Sequence, residues 1–436
     1  MKKDAINVGI IGAGTVGGGA AAVLVRNAEL IAHRAAPIRL AAIAELDRAR
    51  GEALCSELSL PFDILTDDWL TLVGDPDIDI IVETIGGVEL AHQIISSALK
   101  AGKSVVTANK DLMATHGGEL LNIAGEMKTD LFFEAAVAGG IPIIQSVKEG
   151  FAGNRIGQIM GIVNGTTNYI LTRMSESGAD YAEALAEAQA LGYAEADPTS
   201  DVAGHDAARK MAILASIAFN SRVSFDMVPC EGIDKISAWD IAYAEQFGYA
   251  IKMLGIARSD GQLIDVRVHP LMISKSHPLA AVRDSYNAIF VQGDALGSAM
   301  LYGRGAGALP TGSAIAGDII NATRNILHDS KARWGCTCHL ELPVLPLDET
   351  LSKYYVRICV FDRIGVFAEL SEALTANNIS MDSVMQKRRL TDDRAEIVLI
   401  THQVRHADMM AALNDIERLD CVCEVSDYIR VEDESI

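Results

Sequence analysis

The sequence predicts an α/β fold in three parts, on three observations. Apolar β-type runs alternate with helical stretches up to Pro142, a glycine-rich turn follows the first of those runs, and from Tyr354 onwards the order is strand, helix, two strands, helix, strand. Strands alternating with helices call for a parallel sheet with right-handed crossovers. At 436 residues the chain is longer than one ordinary domain. Half of it is apolar and only 5% aromatic, which favours a core of Ala, Ile, Leu and Val in layered α/β packing.

In the first part, strands are predicted at Ile6–Ile11, Ile38–Ala44, Ile78–Glu83, Ser104–Thr107 and Asp130–Glu134, with helices at Leu90–Ala101 and near Gly118–Met127. After Pro142 the pattern changes. Strand-like pieces at Ile156–Val163, Val266–Ile273 and Ala288–Gln292 surround helices near Tyr181–Leu191 and Gly204–Phe219, which reads as a separate α+β unit. Gly303-Arg-Gly-Ala-Gly307 then leads to a helical run over Ala314–Leu327. The expected divisions are 1–142, completed by 303–330; 143–302; a linker at 331–350 holding Pro343 and Pro346; and 351–436. In the last unit Met410, Leu413, Ile416 and Leu419 recur three apart, the apolar face of a helix near Ala407–Leu419.

A formal charge of -21 with no basic run repels phosphate backbones, so nucleic acid is not an expected partner. No apolar stretch approaches the roughly 20 residues that span a bilayer, and the glycines after Ile11 stop a signal-type apolar region from developing. A cytoplasmic location without membrane contact is expected. The seven cysteines are scattered and odd in number, which opposes a disulfide framework. Cys336-Thr-Cys338 and Cys421-Val-Cys423 lack zinc spacing and suit strand positions.

Gly12-x-Gly14-x-x-Gly17 lies between a strand and a helix inside the first βαβ unit, the setting in which this pattern binds a dinucleotide. The glycines allow the turn, the approach of a pyrophosphate and close packing, while the helix start offers free N–H groups. The first part is therefore expected to be Rossmann-type. Glu45 ends the second strand, where a carboxylate accepts from a ribose 2′-OH and repels a 2′-phosphate. Arg48 and Arg50 can bind that phosphate instead, and Glu45 can equally cap the next turn. Thr107-Ala-Asn-Lys110 follows the fourth strand at the ligand-binding edge; Lys110 can face cofactor or substrate, or be a surface lysine. Glu134-Ala-Ala-Val-Ala-Gly-Gly-Ile141 can aim carbonyls at a hard cation or serve as a hinge. Between Leu191 and Lys210 stand Glu195, Asp197, Asp201 and Asp206, with Lys210 four residues after Asp206. On a helix that spacing points both groups at one ligand; a solvated acidic loop is the plainer reading.

Asn164-Gly-Thr-Thr-Asn-Tyr169, Gly192-Tyr-Ala-Glu-Ala-Asp-Pro198 and Asp206-Ala-Ala-Arg-Lys210 join the segments at Gly12, Thr107, Glu134 and Gly303 in one order. Up to about residue 330 the chain thereby resembles the homoserine dehydrogenase family, and residues 354–431 resemble an ACT domain, as in long forms of that enzyme. The resemblance implies NAD(P)-dependent interconversion of L-homoserine and L-aspartate 4-semialdehyde, in threonine and methionine biosynthesis. It implies Lys210 as proton donor or acceptor supported by Asp206, with Glu195 and Lys110 at the substrate. Cofactor contacts would come from Gly12, Gly14, Thr15, Val16, Gly17, Glu45, Thr107, Lys110 and Gly307. Glu134, Val137, Gly139 and Ile141 match a monovalent-cation loop, for an ion such as sodium. Glu45 stands where NADP-preferring relatives often carry arginine, which favours NAD. The ACT-like unit implies feedback by an amino acid, threonine being the obvious candidate, near Asp362 and Gly365; oligomer contacts alone are the alternative. A homodimer or homotetramer is implied. A rival from another class is a non-catalytic sensor of NAD(H) and an amino acid, which would not need Glu195, Asp206 and Lys210.

Overall fold

The structure, a computed structural model, describes residues 5–333, 335–391 and 393–432, with backbone alone over 387–391. Six strands, β1 (Ile6–Ile11), β2 (Ile38–Ala44), β3 (Leu65–Thr66), β4 (Ile80–Glu83), β5 (Ser104–Thr107) and β6 (Leu131–Phe132), form a parallel sheet in the order β3-β2-β1-β4-β5-β6. The order reverses between β1 and β4, so a crevice opens at the carboxyl ends of those strands. The helix after β5 spans Lys110–Glu126 and starts two turns before the expected Gly118. Asn109 explains the early start: its side chain accepts from Leu112 N as an N-cap.

The helices Thr15–Arg26 and Ala308–Leu327 cross backbone to backbone. A Cβ on Gly19 would stand 2.0 Å from the Ala308 carbonyl oxygen, which fixes glycine there. The late segment thus packs on the first sheet's opening helix.

The second sheet is mixed. It takes β7 (Ile156–Ile162), β8 (Tyr249–Ser259), β9 (Ile264–Ser274), β10 (Tyr286–Gly293) and β11 (Gly297–Arg304). It continues through β12 (Leu351–Phe361), β13 (Met381–Thr391), β14 (Arg394–Thr401) and β16 (Val422–Val431), while the short β15 (Val404–Arg405) pairs with β12. The order is β11-β10-β7-β8-β9-β16-β12-β14-β13. β8 and β11 escape the sequence reading. Seven successive β8 residues, Ile251–Ala257, are buried on both faces, so no alternation marks the strand.

One mixed sheet runs through both later parts. β16 runs parallel to β9, pairing Arg430 with Leu271 and Val431 with Met272. Charges are buried at this junction. Arg430 donates twice to Glu231 at 2.8 Å. Asp240, on the helix Ala238–Gln246, accepts from Arg357 Nε at 2.7 Å and from Tyr355 OH at 3.0 Å, and Glu396 accepts from Tyr243 OH at 2.6 Å. The 331–350 segment is likewise held rather than loose: Leu340 N donates to Asn220 O, and Leu345 N to Ile264 O, at 2.8 Å each. Cys336 and Cys338 lie outside strands, whereas Cys423 is on β16. Among the described residues no helix is long and apolar enough to cross a membrane.

Replacing Arg357 with methionine leaves the fully buried Asp240 carboxylate without its cation. Removing one partner of such a pair costs about 3–5 kcal/mol. We expect urea denaturation of Arg357→Met to show a loss of that size; a change within experimental error would mean that the junction tolerates a lone carboxylate.

Candidate active site

Gly12, just past β1, donates its N–H to Ala44 O at 2.8 Å, tying the glycine turn to β2. A Cβ at Gly17 would sit 1.9 Å from the Gly12 carbonyl oxygen, so only glycine fits there, whereas a Cβ at Gly14 would meet nothing within 4 Å. The open room lies at the start of the helix whose first residues are Thr15 and Val16. A cleft of about 680 Å³ is lined here by Gly12, Gly14, Glu45, Arg50, Thr84 and Leu90 among others. Glu45 accepts from Ala13 N at 2.7 Å and Asp47 N at 2.9 Å, so it braces the glycine turn and caps the next one. Arg50 stands 3.7 Å from Glu45, and Arg48 pairs with Glu52 at 2.8 Å. Both arginines are already directed at carboxylates. Gly307 immediately precedes the helix that crosses at Gly19.

Thr107 is buried and faces inward. Its hydroxyl donates to Glu83 at 2.6 Å and accepts from Asn109 N at 3.0 Å, which leaves that side chain supporting the edge instead of lining the cleft. Burial raises the pKa of Glu83 in spite of this hydrogen bond.

Lys110 opens its helix and reaches across to Asp206, with Nζ 3.3 Å from Oδ1. Asp206 lies in the first turn of the helix His205–Ala218, where the dipole favours a negative charge. One turn on, Lys210 Nζ donates to Asp206 Oδ2 at 2.6 Å and to Val163 O at 2.8 Å. Burial opposes ionisation of Asp206, but the charges of Lys210 and Lys110 and the hydrogen bonds from Lys210 and Asn164 outweigh it and hold the carboxyl at about 2. Beside this trio Arg209 Nε is 2.7 Å from Asp111, a second bridge between the same two helices.

Asn164 is a member that the sequence reading quoted but left without a role. Its Oδ1 caps the helix Gly165–Ser177 by accepting from Thr167 N, while Nδ2 donates to Asp206 at 2.9 Å and Asp201 at 2.7 Å. An Asn ahead of a helical run signals a cap; the partners about 40 residues on carry no local signal. Asp201 also accepts from Thr166, and Asp197 caps Thr199, so both shape the loop. Glu195 is not brought into the cluster: it is exposed, and its side chain has no hydrogen-bond partner among the described residues. His205, the neighbour of Asp206, stands edge to face with the Phe225 ring.

Glu134 is buried, and its two carboxylate oxygens accept from Ile144 N and Gln145 N at 2.7 Å each. Burial raises its pKa to about 7 against those bonds. Ala138 and Gly139 take left-handed backbone at φ 56° and 50°. In the last unit Gly365 precedes the helix Val366–Ala376, and Asp362 is exposed in the turn after β12.

Comparison with known proteins agrees with this layout. The family model described as homoserine dehydrogenase, NAD binding domain, matches residues 12–134; the homoserine dehydrogenase model matches 142–320 and the ACT domain model 354–421. A homoserine dehydrogenase of Corynebacterium glutamicum is 44% identical over 98% of this chain and 96% of its own length. A solved homoserine dehydrogenase from Thiobacillus denitrificans superposes with a TM-score of 0.92 at 42% identity, covering 98% of both chains. A hyperthermophilic archaeal homoserine dehydrogenase, solved in complex with NADPH, gives 0.61 at 29% identity over 73% of this chain and 98% of that one.

The Asp206 environment sets a pH dependence. A carboxyl held below its unfolded value of about 3.9 adds stability above that pH, and the contribution is lost as pH falls towards about 2. The stability gap between wild type and Asp206→Asn is therefore expected to be constant above pH 5 and to close between pH 4 and about 2. Thermal melts across that range measure it, and a pH-independent gap would contradict the assignment.

Proposed function

The chain belongs to the homoserine dehydrogenase family, an NAD(P)-dependent oxidoreductase family, and from that premise we propose that Lys210 exchanges the proton with the substrate oxygen while hydride passes between nicotinamide and the carbon that bears it. The observation that carries this reading is the donor count at Lys210. An ammonium has three N–H groups; Asp206 and Val163 O take two, and the third is left for a ligand. In the oxidative direction homoserine loses a hydride from its carbinol carbon to the cofactor and a proton from its hydroxyl, giving the aldehyde. In that direction Lys210 would receive the proton as the neutral amine, and in the reductive direction its ammonium would give the proton to the aldehyde oxygen as negative charge develops there. Asp206 fixes the direction of Lys210, and Lys110 adds a second positive charge beside the same carboxylate. The non-catalytic sensor reading has no support from the relatives described above, which are homoserine dehydrogenases.

Gly12 and Gly14 line the cleft in which the pyrophosphate would lie, Thr15, Val16, Gly17 and Gly307 would complete the cofactor contacts, and Thr107 would act through backbone alone, since its side chain is engaged. Glu45 favours NAD, because a 2′-phosphate would meet its carboxylate while Arg48 and Arg50 remain occupied by acids. The 134–141 loop fits a monovalent cation such as sodium through the Val137 and Gly139 carbonyls, which accept no hydrogen bond among the described residues. Glu134 and Ile141 would contribute carbonyl oxygens; the Glu134 carboxylate is taken. The ion would fix the loop that joins the two halves. Glu195, on an exposed loop, would reach substrate only after that loop moves inward. An amino-acid effector such as threonine would bind around Asp362 and Gly365 in an assembly of two or four chains.

In assays of NADH formation from homoserine, Lys210→Ala is expected to lower kcat about 10²- to 10⁴-fold with cofactor affinity nearly unchanged. Turnover close to wild type would remove Lys210 from the proton path. The same assay run with both cofactors is expected to give the larger kcat/KM with NAD, and a preference for NADP would refute the role given to Glu45. Threonine added to wild type and to Asp362→Ala tests the effector site: inhibition is expected to weaken in the variant, and equal inhibition would place the effector elsewhere.

A further inference from the structure

Away from the Asp206 centre, three side chains with metal-ligating chemistry meet between two helices of the first part. His92 is on the helix Glu89–Lys100, while His116 and Glu119, three residues apart, share a face of the helix Lys110–Glu126. His92 Nε2 lies 3.3 Å from one carboxylate oxygen of Glu119, and His116 Nδ1 lies 3.5 Å from the other. The two imidazoles stand edge to face with centroids 5.1 Å apart. One ligand atom from each residue falls within 4.8 Å of the other two. His92 Nε2 is closed off from solvent and forms no hydrogen bond, even with the carboxylate beside it. A plain His–Glu contact would have satisfied that nitrogen. Nothing in the reaction uses these three residues.

We propose that His92, His116 and Glu119 form a site for a borderline divalent transition-metal ion of the zinc type, which staples the two helices together. Two imidazole nitrogens and a carboxylate oxygen are a ligand set such ions accept, whereas magnesium and calcium prefer oxygen ligands. Bond lengths of about 2.0–2.1 Å in tetrahedral geometry put neighbouring ligand atoms about 3.3 Å apart; one atom from each of the three residues already lies within 4.8 Å of the others, so small side-chain rotations would close the set on an ion. Glu119 is exposed, so the remaining position opens to water. The ion would join the helix that leads into β5 to the helix that begins at Lys110. It is distinct in place and ligand type from the carbonyl loop at 134–141.

Cobalt(II) is the probe, because its absorption reports the ligands. The full-length chain, freed of metal by a chelator, is titrated with Co²⁺ while its spectrum and Tm are followed. We expect a single Co²⁺ per chain, visible d–d bands without a thiolate charge-transfer band, and a rise in Tm. His92→Ala and Glu119→Gln should each abolish both responses while retaining the metal-free Tm and turnover with homoserine. Absence of Co²⁺ binding, bands that survive in His92→Ala, or a thiolate charge-transfer signature pointing to cysteines such as Cys336 and Cys338 would each overturn the site.

Discussion

One carboxylate holds the two halves of the catalytic unit in register. Asp206 sits on a helix of the second part, yet its oxygens are divided between Lys210 of the same helix and Lys110 of the first part. A buried anion is costly unless paired, so Asp206 requires both lysines. The parallel sheet delivers Lys110 to this point because β5 ends at Thr107 and Asn109 starts the next helix at once. β7 delivers the Val163 carbonyl that orients Lys210. The carboxyl edge of the parallel sheet and Lys210 are therefore tied through Lys110 and Asp206, with both lysines carried on helices.

Much of this was legible where chemistry is local. The Asp206–Lys210 contact follows from the period of a helix, and the glycine turn from its place between a strand and a helix. Nonlocal terms were hidden. Nothing near Lys110 marks Asp206, 96 residues on, as its partner, and nothing near Asn164 marks its bonds to two aspartates. The strand β8 left no alternation to find. Composition also does not tell neighbours apart: Glu195 belongs to the same acidic stretch as Asp206 but is exposed, while the Glu134 carboxylate accepts from the Ile144 and Gln145 N–H groups.

The union of the last unit with the catalytic sheet was hidden for a related reason. β16 meets β9 over only two residue pairs, too few to leave a pattern in sequence. What makes the junction specific is the charge beneath it. Buried ion pairs are weak evidence for stability, since apolar replacements of the same shape often do as well. They are strict about geometry, however, because Asp240 or Arg430 left alone is a buried charge. Asp240 with Arg357, and Glu231 with Arg430, accordingly fix one docking arrangement of the last unit.

That rigidity bears on how a signal would travel. β12 ends at the turn holding Asp362, and its Tyr355 and Arg357 grip Asp240. The Asp240 helix packs on the helix Gly165–Ser177, whose N-cap is Asn164, and Asn164 holds Asp206. Packed contacts therefore run unbroken from the ACT-type turn to the Asp206–Lys210 pair. Contiguity alone does not make a regulator, because an effector shifts only an equilibrium whose two states it binds unequally. The buried pairs suggest where such states would differ. A displacement of β12 that loosened Arg357 from Asp240 would leave the buried Asp240 carboxylate without its cation, so the strand and the 238–246 helix are constrained to move as one body. Further along the path, at the helix start, the single amide of Asn164 carries both the cap and the hold on Asp206.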